Sequence, residues 1–290
     1  MKHRKCIALT ALLLAALLAF TACGAQPPTE ETLPVTEAVP ETTAPAEVRT
    51  RTVLESLTTE VFVGDMTITS STVHSYDERG LLKEIVGSSN GEEYSRTVVE
   101  NDEHGEVIRQ TATSGENAIV TESQLTYDES GNLIHRVDTV SENGTAMDIR
   151  EYTYNPDHTL KEAVITSLRD PSYVTSNAYE YDADGREIAE IRTDSTGTVT
   201  HIETLYDENG RVTGTVVKND AGEVTQYGET IYEDNGTVKQ VTYFPDGTPS
   251  PSYTLTTYNE QGNPLTQETW NGDTLAIRMT YTYITVPAFK

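Results

Sequence analysis

From residue 76 onward the chain repeats itself. Tyr76-Asp77-Glu78-Arg79-Gly80 recurs as Asn101-Asp102-Glu103-His104-Gly105, Tyr127-Asp128-Glu129-Ser130-Gly131 and Tyr154-Asn155-Pro156-Asp157-His158. It recurs again as Tyr181-Asp182-Ala183-Asp184-Gly185, Tyr206-Asp207-Glu208-Asn209-Gly210, Tyr232-Glu233-Asp234-Asn235-Gly236 and Tyr258-Asn259-Glu260-Gln261-Gly262. The starts are 25, 26, 27, 27, 25, 26 and 26 residues apart. Self-similarity at a period of this length decides the architecture before any single residue does.

A second turn signal separates consecutive copies: Asn90-Gly91, Ser114-Gly115, Asn143-Gly144, Asp170-Pro171, Thr196-Gly197, Ala221-Gly222, Asp246-Gly247 and Asn271-Gly272, with Gly64-Asp65 ahead of the first. Asp or Asn opening D-x-x-G bonds its own backbone two residues on, and the glycine supplies the positive φ that closes a type I turn with a bulge. The structural turn residues expected on this basis are Asp77, Gly80, Asp128, Gly131, Asp182, Gly185, Asp207, Gly210, Gly236 and Gly262. Between turns lie alternating stretches rich in Thr, Val, Ile and Tyr, such as Glu151-Tyr152-Thr153-Tyr154, and no run keeps a helical period. The expected fold is all-β: an antiparallel meander of about 17 strands over residues 50–290, in eight repeats, coiled into a curled or spiral sheet because adjacent strands twist. The sequence leaves open whether the two edges meet.

The copies Tyr127-Asp128-Glu129-Ser130-Gly131-Asn132-Leu133 and Tyr206-Asp207-Glu208-Asn209-Gly210-Arg211-Val212 resemble the YD-repeat, or rearrangement-hotspot (RHS), family. That resemblance implies a wound β-sheet shell, of the kind that encloses a C-terminal toxin in long arrays. Here the array is short, Asn101 replaces the tyrosine of the second copy, and His158 replaces the glycine of the fourth. Repeat-like strands run on to Lys290, which supports the architecture and argues against a toxin-carrying role.

Residues 1–22 read as an export signal. Lys2, Arg4 and Lys5 precede the apolar run Ile7–Phe20, which is too short to span a bilayer. Phe20-Thr21-Ala22-Cys23-Gly24 resembles the lipobox of bacterial lipoproteins, which implies cleavage before Cys23 and fatty acylation, palmitate-type chains included, on that cysteine. Two or more acyl chains anchor stably to a lipid bilayer. Residues 23–49 hold five prolines among Thr, Glu and Ala and are expected to form a disordered tether.

The chemistry-bearing residues form no constellation. Of the histidines, His74, His104, His135, His158 and His201 follow the signal, and no two of them have metal-ligand spacing. Nucleophile motifs are absent, and no cofactor or metal site is expected. Asp182-Ala183-Asp184-Gly185 has a calcium-loop spacing without the remaining ligands, and turn chemistry explains it. Tyr152/Tyr154, Tyr179/Tyr181 and Tyr281/Tyr283 place pairs on one strand face; cross-strand packing is the primary reading, with glycan stacking the alternative, and Trp270 adds a further aromatic. With 46 acids against 20 bases and a net charge of −26, a nucleic-acid partner is excluded.

The sequence therefore reads as an exported, lipid-anchored protein of the bacterial cell envelope, surface or periplasm exposed, acting as a non-enzymatic binding or structural module for a protein or glycan ligand. The alternatives are an envelope polysaccharide-acting enzyme or accessory protein, and a fragment of an RHS-type toxin shell.

Overall fold

The computed structural model describes residues 49–289; the expected export signal, Cys23 and most of the proline-rich segment lie outside them. Eighteen strands follow in order: β1 (Thr50–Val63), β2 (Met66–Tyr76), β3 (Leu82–Ser89), β4 (Glu92–Asn101), β5 (Val107–Ser114), β6 (Asn117–Tyr127), β7 (Leu133–Glu142), β8 (Thr145–Tyr154) and β9 (Leu160–Ser167). The second half comprises β10 (Val174–Tyr181), β11 (Glu187–Thr193), β12 (Val199–Tyr206), β13 (Val212–Asn219), β14 (Val224–Tyr232), β15 (Val238–Tyr243), β16 (Pro249–Tyr258), β17 (Pro264–Asn271) and β18 (Thr274–Pro287). Each strand pairs antiparallel with its sequence neighbours, and β1 also pairs with β18.

Two expectations are corrected. The strand count is 18 rather than about 17, because the stretch ahead of the first Tyr-Asp copy contributes two strands of its own. The sheet is a closed barrel rather than a curled or spiral sheet. Closure comes from the two longest strands, β1 and β18, each of 14 residues, which pair from Thr50↔Pro287 to Val61↔Ile277. At the open end of that seam the Ala288 N–H donates to the Arg49 carbonyl at 2.8 Å. Closure removes both sheet edges, the feature that exposes a long meander to aggregation. Following Cα partners through the middle of the strands once round returns to β1 displaced by about 18 residues, which corresponds to a strand tilt of roughly 37° and a backbone radius of about 16 Å. Side chains from opposite walls do not fill a barrel of that width.

Strand residues alternate faces, and Cα partners share one, so the register sorts the whole barrel into two surfaces. Thr59, Thr72, Val99, Asp138, Val140 and Thr256, the buried side chains at the middle of the strands, all fall on the same surface, which is the concave one. The opposite surface carries ion pairs between neighbouring strands: Arg96–Glu84, Arg109–Glu122 at 3.9 Å, His135–Glu151 at 2.9 Å, Lys218–Glu203 at 2.5 Å and Arg278–Glu268 at 2.9 Å. A lysine or arginine facing lipid at mid-membrane costs about 2–4 kcal/mol, so this outward face is built for water. Among the described residues no large side chain is wholly buried. The fold rests on its hydrogen-bonded ladder and on links between repeats, rather than on a dry core.

Those links account for the repeat. Asp77 Oδ1 accepts from the backbone N–H of Arg79 and Leu81, and Asp128, Asp182 and Asp207 accept in the same way within their own turns. The tyrosine then reaches back one repeat. Tyr181, Tyr206 and Tyr232 donate their hydroxyls to the carbonyls of Leu160, Glu187 and Val212 at 2.9, 2.7 and 3.0 Å, each the first residue after the preceding turn. Tyr76 bonds Leu54 in β1 at 2.6 Å, and Tyr283, where a ninth copy would begin, bonds Pro264 at 2.8 Å. Asn101 replaces a tyrosine yet keeps the link, donating Nδ2 to the Leu82 carbonyl at 2.9 Å. Arginines add a second tie: Arg186 and Arg211 pair with the aspartate of their own turn and lie over the ring of the next tyrosine, Tyr206 and Tyr232, at 5.0 and 4.6 Å.

Burial raises the hydroxyl pKa of Tyr76, Tyr181, Tyr206 and Tyr283, to about 12 for Tyr181 and Tyr283. A phenol whose folded pKa lies above its unfolded value near 10 stabilises the fold below that value, and the contribution is lost as pH rises through about 12. Far-UV circular dichroism should therefore show cooperative loss of β structure between pH 10 and 12; an unchanged spectrum across that window would contradict the role given to the tyrosines.

The fourth copy carries strain. His158 occupies the left-handed region at φ 70, where the other copies have glycine. His158→Gly should stabilise by roughly 0.5–1 kcal/mol, strain relief outweighing the glycine's added unfolded-state entropy. Urea denaturation read by fluorescence checks the sign.

Candidate functional site

The ten turn residues form no pocket. Asp77, Gly80, Asp128, Gly131, Asp182, Gly185, Asp207, Gly210, Gly236 and Gly262 are spread round one rim of the barrel, and all six glycines have positive φ, between 76 and 84. The aspartate oxygens are already engaged. The backbone N–H of Arg186 and its guanidinium hold the Asp182 carboxyl below the usual range, and the Asn132 backbone N–H and side-chain amide do the same for Asp128. Among the described residues no group of three or more His, Cys, Asp or Glu is arranged to hold a metal ion. Cys23, the expected lipidation site, lies outside the described residues.

The concave side of the wall differs. Over β13–β17 it forms a hollow of about 470 Å³ whose inward side chains include Thr215, Gln226, Thr230, Gln240, Thr242 and Thr254. Gln226 and Gln240 are exposed although they face inward, as a water-filled interior requires. A second hollow of about 550 Å³, sharing Thr230 and Gln240, leads past Tyr232 and Tyr258 toward the Tyr-Asp rim. Glu229 stands at the margin of the first hollow, in the outward register, and its carboxylate accepts from the Tyr243 hydroxyl at 2.7 Å. The interior surface here is a field of hydroxyls and amides, groups that both donate and accept and that bear no charge.

On the wall formed by β6–β8 the interior is charged. Arg136 Nε and Nη2 make two parallel bonds to Asp138 at 2.7 and 3.0 Å, with the Asp138 side chain only 4% exposed. The Arg136 guanidinium lies 5.8 Å from the Tyr152 ring centre. A similar pair, Arg192 with Glu190, stands on β11. Outside the barrel, the rings of cross-strand partners Tyr253 and Trp270 are parallel with centres 6.3 Å apart, Lys239 lies over Tyr253, and the Trp270 indole N–H donates to Glu268. The paired tyrosines divide their work. Tyr152, Tyr179 and Tyr281 face the interior, and Tyr181 and Tyr283 serve as links between repeats.

These features define a closed antiparallel barrel with a charged outer surface and a polar, hollow interior. No protein-family model matches the chain, and no curated protein matches it. Solved structures similar to it include porin-like proteins from Bacteroides uniformis and Bacteroides vulgatus, at 12% and 11% identity over 80% of this chain and 98% of each of those chains, with TM-scores of 0.32 and 0.38. The Tc holotoxin pore of Photorhabdus luminescens is similar over 73% of this chain and 15% of that chain, at 11% identity and a TM-score of 0.24. Likeness at this level assigns no activity, and the barrel is read from its own strand register.

Proposed function

We propose that this chain is an exported envelope lipoprotein, anchored through acylated Cys23, whose barrel is a non-enzymatic binding module that holds a hydroxyl-rich ligand, a glycan segment, against its interior wall. The supporting observation is the uncharged concave surface of Thr215, Gln226, Thr230, Gln240, Thr242 and Thr254. Sugars carry the same mixed donor and acceptor groups, and a field of them exchanges water for ligand at little desolvation cost. The described chain begins at Arg49, on the Tyr-Asp rim and next to the end of β18.

Calorimetric titration with a panel of neutral oligosaccharides tests the binding reading. Gln240→Leu combined with Thr254→Val should weaken a binding member of that panel about tenfold or more, and Gln124→Leu on the outward face should not. Equal loss from inner and outer variants, or no binding by any member, would overturn it. The anchor has its own test: an alkyne fatty acid should label the protein through Cys23, and label that survives Cys23→Ala would remove the anchor.

A further inference from the structure

The register brings Ser123, Asp138 and Arg150 into one row across the middle of β6, β7 and β8, on the interior surface. Asp138 already holds Arg136 through both carboxylate oxygens. On either side of it, Ser123 Oγ and Arg150 Nε are buried without a hydrogen-bond partner. No ion pair joins Arg150 to another described residue, although the chain holds 46 acids against 20 bases. Asp148, two residues away on the same strand face, likewise makes no ion pair. A buried donor left unsatisfied costs free energy, more so when charged, and a ligand that fills it recovers that cost.

We propose that this row is an interior subsite for a single carboxylate on an otherwise uncharged glycan, with Arg150 as the charged donor and Ser123 as a flanking hydroxyl. The planar guanidinium suits a carboxylate, offering its N–H groups in parallel. Two features limit the ligand's charge. Asp148 beside Arg150 repels a second negative group, and the net charge of −26 disfavours a polyanion at long range. A sugar acid flanked by neutral sugars meets both conditions, whereas sulfate, phosphate and polyuronates do not. The subsite deepens the glycan-binding reading above and rests on it.

The test uses the full chain with three probes at matched ionic strength: 3′-sialyllactose, its methyl ester, which removes only the charge, and sodium sulfate. Calorimetry should show saturable binding of sialyllactose, about tenfold or more weaker binding of the ester, and none of sulfate. Arg150→Gln should abolish the preference for the acid over the ester. Its melting temperature should hold or rise, because an unpaired interior charge has been removed, and Arg109→Gln on the outer face should change nothing. Equal affinity for acid and ester, sulfate binding as tight as sialyllactose, or a preference that survives Arg150→Gln would overturn the subsite while the glycan-binding reading stands. Absence of binding by both sugars would overturn the subsite, and a neutral panel that also fails would take the parent reading with it.

Discussion

Gly80→Ala should destabilise the barrel by about 3 kcal/mol, a fall in melting temperature on the order of 8 °C for a domain of this size. Two costs combine at this residue. Its φ is 78, where an L side chain is strained by about 1–2 kcal/mol, and an added Cβ would lie 2.0 Å from the Pro287 carbonyl oxygen. That oxygen belongs to backbone at the end of β18, so relief requires the seam strand to move. The Arg51 guanidinium, which bonds the Gly80 carbonyl at 2.9 Å, would be displaced with it. Gly210→Ala tests the turn without the seam: φ is 76, but the nearest atom is Arg186 Nη1 at 2.9 Å, the end of a flexible side chain. Gly262→Ala meets nothing within 4 Å. The expected order of loss is Gly80 first, then Gly210 and Gly262 at about 1–2 kcal/mol each. Equal losses at all three, measured by urea denaturation, would show that the rim turns act independently of the seam.

Asp138→Ala should cost about 3 kcal/mol by a different route, leaving the Arg136 guanidinium inside the barrel without its partner. The lower end of the range for broken buried pairs applies, because the Arg136 side chain keeps 21% exposure to the interior. The pair itself is not a net source of stability. Its geometry must offset the desolvation of both ions, so Arg136→Met with Asp138→Leu should recover most of the loss. A double-mutant cycle in which the double variant is as unstable as Asp138→Ala would mean that the pair holds the β6–β8 wall in a way apolar packing cannot. Burial opposes the charge on Arg136, yet the Asp138 bonds still raise its pKa, so the guanidinium keeps its charge across the neutral range.

The turns were legible in the sequence because their causes are local. Asp182 and Gly185 sit three residues apart, and the hydrogen bonds that fix the turn never leave it. The strands were legible through alternation for the same reason. Closure was not, because it depends on a small stagger accumulated over 18 pairings and on residues 50–63, which precede the first Tyr-Asp copy. The part played by the tyrosines was hidden in another way. Their spacing of about 26 residues is visible, but that Tyr206 touches Glu187 follows only once neighbouring hairpins are known to be in register. Asn101 was in fact the clue, since an amide can replace a phenol when the need is a hydrogen-bond donor rather than a ring.

The candidate site was less legible still. Arg136, Asp138, Asp148 and Arg150 can each be assigned a strand, and charges at alternate positions on adjacent strands could have been noticed. Whether those charges face water outside or the interior depends on which surface is concave, which no single strand encodes. Ser123 gives no signal at all among so many hydroxyl residues. The hollow over β13–β17 is equally silent, because Thr and Gln at alternate positions are what an exposed strand also carries.

The central claim is that the repeats close on themselves and enclose the polar surface. Spin labels at Thr58→Cys and Thr280→Cys, in a chain lacking its natural cysteines, test it directly, since these residues are Cα partners across the β1–β18 seam and face outward. Closure predicts a label-to-label distance under about 20 Å, given a strand spacing of about 4.8 Å plus the label arms, whereas an open or spiral sheet separates its edge strands by several tens of ångströms. A dominant short distance in the pulsed dipolar spectrum is the predicted result; a dominant long one would contradict the barrel and every interior site assigned to it.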